Sequence, residues 1–272
     1  MVKSHNFRVT VDRHFVMDDF DGRDYVQAAI LEKGVLQYEA PLPSFLIAYL
    51  AQNEGTFIDV GANTGVFTLL AASVSSRINV VAFEPLHDIY MKLRHNVELN
   101  QDLSARITTV KAALSGSSGK THFYETINDA GLFSTSSSLE FGHVQYIGSE
   151  FRTLEVSTVT FDEWAEANDL KDAALMKIDV EGHESAVLQG AISFVKRVRP
   201  LIVVELLAGA KYPFFQEFVE ACNYMSFSAT GEFMRREHRI QCEPGSWNHI
   251  FCPVEKIYGA VVAGSAAGLE IR

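Results

Sequence analysis

Five short apolar runs recur along the chain: TFIDV (56–60), NVVAF (79–83), ITTV (107–110), ALMKID (174–179) and LIVVEL (201–206). Segments of helical spacing separate most of them, the clearest being VFTLLAASVSS, DIYMKLRHNVELN and SAVLQGAISFVKRV. Strands this apolar are buried on both faces, and a helix between two of them returns the chain to the same end of the sheet, so neighbours pair in parallel. The pattern predicts an α/β fold, doubly wound around a mostly parallel sheet. At 272 residues and 47% apolar content the chain can bury one large core.

Ahead of the regular pattern, FRVTV alternates as a strand, DDFDGRD reads as a turn, and PLPSFLIAYLAQNEG has Pro near a helix start and Gly past its end. Residues 1–50 are therefore expected to form a β/α extension, with 51–272 as a single unit. Between the third and fourth runs, residues 125–153 are rich in Ser and Gly and too long for a simple connection, which predicts a lid or substrate loop. The Ser134–Ser138 run within it is expected to be solvated. The tail YGAVVAGSAAGLEIR, apolar but made of Gly and Ala, reads as a loosely packed end.

A net charge of −11 without a Lys/Arg block argues against a nucleic-acid partner, whose binding rests on neutralised phosphates. The cluster Arg235, Arg236, His238 and Arg239 is expected to be a solvated hairpin face. Three cysteines without a CxxC pair frame neither disulfides nor a thiolate zinc site, so a reducing cytoplasm is expected. The first residues lack the apolar stretch of a signal peptide, and no window has the roughly 20 apolar residues of a membrane span.

Chemistry first appears in FIDVGANTGVFTLL, where Gly61, Ala62, Asn63, Thr64 and Gly65 join a strand to a helix. Glycine allows a tight turn and close approach of a ligand, and the free amides at a helix start attract an anionic group. VVAFEP ends the next strand with Glu84 and Pro85, placing a carboxylate where it can accept both hydroxyls of a ribose. NAD and S-adenosylmethionine both suit such a crevice. The third glycine of a dinucleotide fingerprint is missing, and Asp59 suits an ammonium better than a pyrophosphate. S-adenosylmethionine is favoured; an NAD-dependent oxidoreductase and a non-catalytic cofactor-binding module remain as alternatives.

FIDVGANTGVFTLLAA, VVAFEP, LRHNVELN, KAALSGSSGKTHFYE, MKIDVEGHESAVLQGA and RPLIVVELL, in this order and spacing, resemble the FkbM-type S-adenosylmethionine-dependent methyltransferases over roughly residues 34–253. The resemblance implies a class I methyltransferase fold, a seven-stranded sheet with an antiparallel closing strand at NHIFCP. It also implies methyl transfer to a hydroxyl, commonly of a sugar or natural product. By the same resemblance Asp59, Gly61, Asn63 and Gly65 hold the methionine part, Glu84 the ribose, and Ala112 with Ala113 the adenine edge. Tyr38 and Glu39 match a block that belongs to the cofactor lid.

The second chemical stretch is KIDVEGHE. Methyl transfer to an alcohol needs alignment and a proton acceptor. In an open parallel sheet the crevice lies at the carboxyl ends of the strands, which puts Asp179 beside the cofactor methyl. Histidine is the side-chain type whose ordinary value lies nearest neutrality, so His183 is the expected base, with Asp179 or Glu181 orienting its ring and Asp179 as the first alternative base. A surface role at the start of the next helix is open for His183 and Glu181. Lys177, inside the strand, requires a partner such as Asp179 or Glu205. Asp179 and Glu205 could share a divalent cation, but without a third ligand no metal is expected. KIDVEG stands where a nucleobase N-methyltransferase would carry Asn/Asp-Pro-Pro-aromatic, which turns the expectation toward an oxygen acceptor with a free hydroxyl.

Overall fold

The structure, a computed structural model, describes residues 4–10, 12–127, 133, 136–242 and 245–272. A hairpin of β1 (Ser4–Thr10) and β2 (Arg13–Asp18) precedes α1 (Tyr25–Lys33) and α2 (Leu42–Gln52). One half of the main sheet follows as β3 (Gly55–Val60), α3 (Val66–Val74), β4 (Ile78–Phe83), α4 (His87–Leu99), α5 (Gln101–Ser104) and β5 (Ile107–Val110). Next come β6 (Ala113–Leu114), β7 (Gly119–Thr126), α6 (Phe141–Ile147) and β8 (Phe151–Val159). The other half is α7 (Phe161–Ala167), β9 (Leu175–Ile178), α8 (Glu184–Gln189), α9 (Ile192–Val198), β10 (Leu201–Glu205) and α10 (Tyr212–Ala221). The chain ends with β11 (Tyr224–Ala229), β12 (Phe233–Glu237), β13 (Asn248–Pro253), α11 (Ile257–Ala266) and β14 (Glu270–Ile271).

All five apolar runs are strands of one sheet, ordered β14-β12-β11-β13-β10-β9-β3-β4-β5. β10, β9, β3, β4 and β5 pair in parallel, and β13 inserts antiparallel between β10 and β11. The seven strands expected of a class I methyltransferase are present in an α/β, doubly wound arrangement, and β12 and β14 extend the edge to nine. Winding runs outward from β3 to β5, then returns to β9 on the other side of β3. That reversal opens a crevice at the carboxyl ends of β3 and β9. Phe57 and Ile58, adjacent in β3, enter the cores on opposite faces of the sheet, as the period of two demands.

The N-terminal hairpin is sewn to α4 by two buried asparagines. Asn96 Oδ1 accepts from the Asp18 amide at 2.9 Å while its Nδ2 donates to the Thr64 carbonyl at 2.8 Å, and Asn100 pairs with both backbone groups of Val16. Three expectations change. SAVLQGAISFVKRV is two helices, interrupted at Gly190 and Ala191, and a Cβ at Gly190 would stand 2.1 Å from the Ser115 carbonyl oxygen, so only glycine fits at the break. The stretch 125–153 begins inside β7 and ends inside β8, which form a small sheet in the order β6-β8-β7, with α6 between them. Residues 128–132 and 134–135 of that stretch lie outside the described residues. The Gly/Ala tail is not loose: α11 packs against α2 with Ala260 and Ala263 fully buried, since small side chains let two helices come close. Arg236, His238 and Arg239 are exposed at the β12 edge. Among the described residues, no helix is long and apolar enough to cross a membrane.

Candidate active site

A cleft of about 370 Å³ opens over the carboxyl ends of β3, β4, β9 and β10. Its floor is the β3–α3 turn. Gly61 has φ +82°, and a Cβ there would sit 1.9 Å from the Asp179 carbonyl oxygen, so glycine is what lets the β3 and β9 ends touch. Gly65 has φ +100° and faces Leu93 of α4. The amides of Gly61 and Ala62 donate to the Phe83 carbonyl at 3.1 and 2.9 Å, tying the turn to the end of β4. Asn63, with φ +49°, donates its amide to Glu84 Oε2 at 3.1 Å, and Leu86 donates to Oε1 at 2.9 Å. Burial pushes the Glu84 carboxyl up to about 7 against these two amides, which favour its ionised form.

Behind the turn, Asp59 is fully buried. Thr68 Oγ1 donates to Oδ2 at 2.6 Å, Oδ1 has no partner, and burial raises the carboxyl above its ordinary range. Lys177 stands beside it in register on β9, with its ammonium 4.6 Å from the centre of the Phe67 ring. Of the partners expected for Lys177, the structure selects Asp179, with Nζ donating to Oδ2 at 2.8 Å. Burial disfavours the ammonium, but the charges of Asp179, Glu39 and Asp59 outweigh it and hold Lys177 above its usual value.

Pro85, Ala112 and Ala113 line one end of the cleft with Leu86, Ile89 and Phe123; Tyr38 and Glu39 line its side. Asp179, Glu181, Glu205 and His183 line the other end. Asp179, Glu181 and Glu205 bring oxygens within 4.8 Å of one another, so the fold supplies the third carboxylate that the sequence reading lacked and a hard cation could be held there. Burial, followed by the charge of Asp179, pushes the Glu181 carboxyl up to about 8 and that of Glu205 up to about 10.

His183 is 13% exposed in its side chain and has both ring nitrogens engaged. Nδ1 lies 2.7 Å from Glu140 Oε1 and Nε2 lies 3.0 Å from Ser115 Oγ. The ring is therefore oriented by Glu140 and not, as expected, by Asp179 or Glu181: Asp179 is taken by Lys177, and Glu181 turns to His143, 3.3 Å away. The first-turn carboxylate of α8 is Glu184, which accepts from the amides of Gly182 and Val180 and holds the turn between β9 and α8. Sequence reasoning missed Glu140, Ser115 and Glu184. Glu184 had a signal, an acid at a helix start after glycine; Glu140 and Ser115, 43 and 68 residues from His183, had none.

A turn in which Gly61 leaves no room for a side chain and a buried acid at the end of β4 fit an amino-acid nucleoside such as S-adenosylmethionine, with the orphaned carboxylate oxygen of Asp59 buried behind the cleft wall rather than lining it. Residues 59–238, about two thirds of the chain, match the family model described as Methyltransferase FkbM domain. Hexuronic acid methyltransferase AglP of Haloferax volcanii is 28% identical over 162 residues, which cover 58% of this chain and 59% of that protein. The chain thus matches somewhat over half the length of that relative. A methyltransferase FkbM from Methylobacillus flagellatus aligns with a TM-score of 0.47 at 14% identity, over 73% of this chain and 43% of that one. An O-methyltransferase from Bacillus cereus in complex with S-adenosylhomocysteine aligns with a TM-score of 0.46 at 14% identity, over 82% and 84%. The fold itself stands on the strand order. With a cleft at the strand reversal and the family's model spanning about two thirds of the chain and most of that cleft's residues, this chain belongs to the FkbM methyltransferase domain family.

Proposed function

We propose that this methyltransferase is S-adenosylmethionine-dependent and transfers the methyl group to a hydroxyl of a sugar, glycan or secondary metabolite. One observation carries the reading: the Gly61–Gly65 turn, the buried Glu84 and His183 of the β9–α8 turn converge on one cleft. When bound, S-adenosylmethionine supplies an electrophilic methyl group on a sulfonium. Asp59, Gly61, Ala62, Asn63 and Gly65 would hold its methionine part, Glu84 and Pro85 the ribose side, and Ala112 with Ala113 the adenine edge. Tyr38 and Glu39, with the rest of 1–50, would cover it as a lid, and 125–153 would face the acceptor. Asp179 borders the reacting end, and His183 would accept the hydroxyl proton through Nε2, with Asp179 or Glu181 as alternative acceptors. The relative's name supports a sugar acceptor. Membership of a methyltransferase family and the absence of a third glycine both favour methyl over hydride transfer. Free Cys222, Cys242 and Cys252 accord with a cytoplasmic setting.

The test is calorimetry with S-adenosylhomocysteine and NAD, then S-adenosylhomocysteine release against neutral sugars, uronic acids and polyols, with and without magnesium and chelator. Tight binding of S-adenosylhomocysteine and turnover with a hydroxyl acceptor are expected. Binding of NAD alone, or binding without turnover on any acceptor, would sink the reading. His183→Ala should lower turnover by about 10²–10⁴-fold and leave cofactor affinity unchanged; a variant of near-normal turnover would remove His183 as base.

A further inference from the structure

We propose that Glu140 is the positioning residue for His183, holding the imidazole as the Nδ1–H tautomer so that the Nε2 lone pair is the one available to an acceptor hydroxyl. The inference rests on His183 as the proton acceptor. Glu140 comes from the segment between β7 and β8, and its Oε1 meets Nδ1 at 2.7 Å. An ionised carboxylate only accepts hydrogen bonds, so the proton of that contact belongs to Nδ1 and Nε2 keeps its lone pair. Ser115 Oγ, 3.0 Å from Nε2, then donates to that lone pair, so an acceptor hydroxyl reaches it only by displacing this one bond.

Other acids near the ring are committed elsewhere. Asp179 is bonded to Lys177, Glu181 faces His143, and Glu184 accepts from two backbone amides of the turn. Glu140, in contrast, stands at the N-cap of α6 yet makes no side-chain cap bond to that helix. Its side chain is directed across to His183 instead. Its backbone is held for the purpose. Ser138, 1% exposed, accepts from the Glu140 amide at 2.9 Å and donates to the Glu181 carbonyl at 2.7 Å, and Gly182 packs against Glu140. The segment that the sequence marks as a lid thus supplies a side chain to the proton-accepting group.

The tautomer can be read directly, without an acceptor, from the ring-nitrogen resonances of histidine-labelled full-length protein with S-adenosylhomocysteine, His183→Ala assigning the signals. The wild type and Glu140→Gln, whose amide oxygen still accepts, should show the Nδ1–H form; Glu140→Ala should show a mixture or the Nε2–H form. With the best acceptor of the sugar panel, Glu140→Ala should lose about 10–100-fold in kcat with KM for S-adenosylmethionine unchanged, and Glu140→Gln should recover most of it. An unchanged tautomer, or unchanged turnover, in Glu140→Ala would overturn the proposal even with His183→Ala inactive. Near-normal turnover of His183→Ala would overturn the assignment beneath it, whatever the tautomer.

Discussion

Glu84 carries two opposed linkages in one carboxyl group. Its value in the folded protein, about 7, lies above the ordinary 4.5, so between those values the folded state binds more protons than the unfolded one. The stability it contributes is present below the lower value and is lost as pH rises through the upper one. With Glu84 in its proposed place at the ribose, cofactor binding should run the other way, because accepting from two hydroxyls with both oxygens requires the ionised form. Affinity for S-adenosylhomocysteine should fall as pH drops from about 8 to about 6, and Glu84→Gln should be weaker by about 1–3 kcal/mol and insensitive to pH across that window. The same variant should be the more heat-stable apoprotein at the alkaline end. Calorimetry and thermal unfolding at matched pH check both; a wild-type affinity flat with pH removes Glu84 from the ribose. The position of this acid was legible in VVAFEP, because strand ends converge on the crevice. Its raised value was not, since it depends on what buries it.

Between elements, the decisive contact is the β3–α3 turn against the end of β9. Gly61→Ala would place a methyl group 1.9 Å from the Asp179 carbonyl oxygen, at a φ of +82° that side chains avoid. Relief requires the two strand ends to part, which should cost about 2–4 kcal/mol and degrade cofactor binding. A melting temperature within a degree or so of wild type would show that the turn yields without strain. The glycine was readable as a tight turn, but not its reason, because the obstructing carbonyl belongs to a residue more than a hundred positions away. Likewise the buried bonds of Asn96 and Asn100, inside LRHNVELN, to Asp18, Thr64 and Val16 exist only once the hairpin lies on α4.

For the whole molecule, the tail is the sharpest test of how the parts depend on one another. Leu269 is buried, Ala260 and Ala263 are fully covered, and β14 completes the sheet edge beside β12. A chain ending before Ile257 should lose about 2–5 kcal/mol of stability, read as a lower midpoint in thermal or urea unfolding; an unchanged midpoint would return the tail to the status of an appendage. By itself the sequence determined the fold class, the five parallel strands, the glycine turn and the acids at the strand ends, because period, apolar runs and strand-end chemistry are local properties of residue order. Tertiary structure alone decided that β12 and β14 extend the sheet, that Gly/Ala helix α11 is core, and that Glu140 and Ser115 bracket His183. Each of those is a meeting of segments far apart in the chain, and no residue spacing encodes which distant surface a small or polar side chain will find.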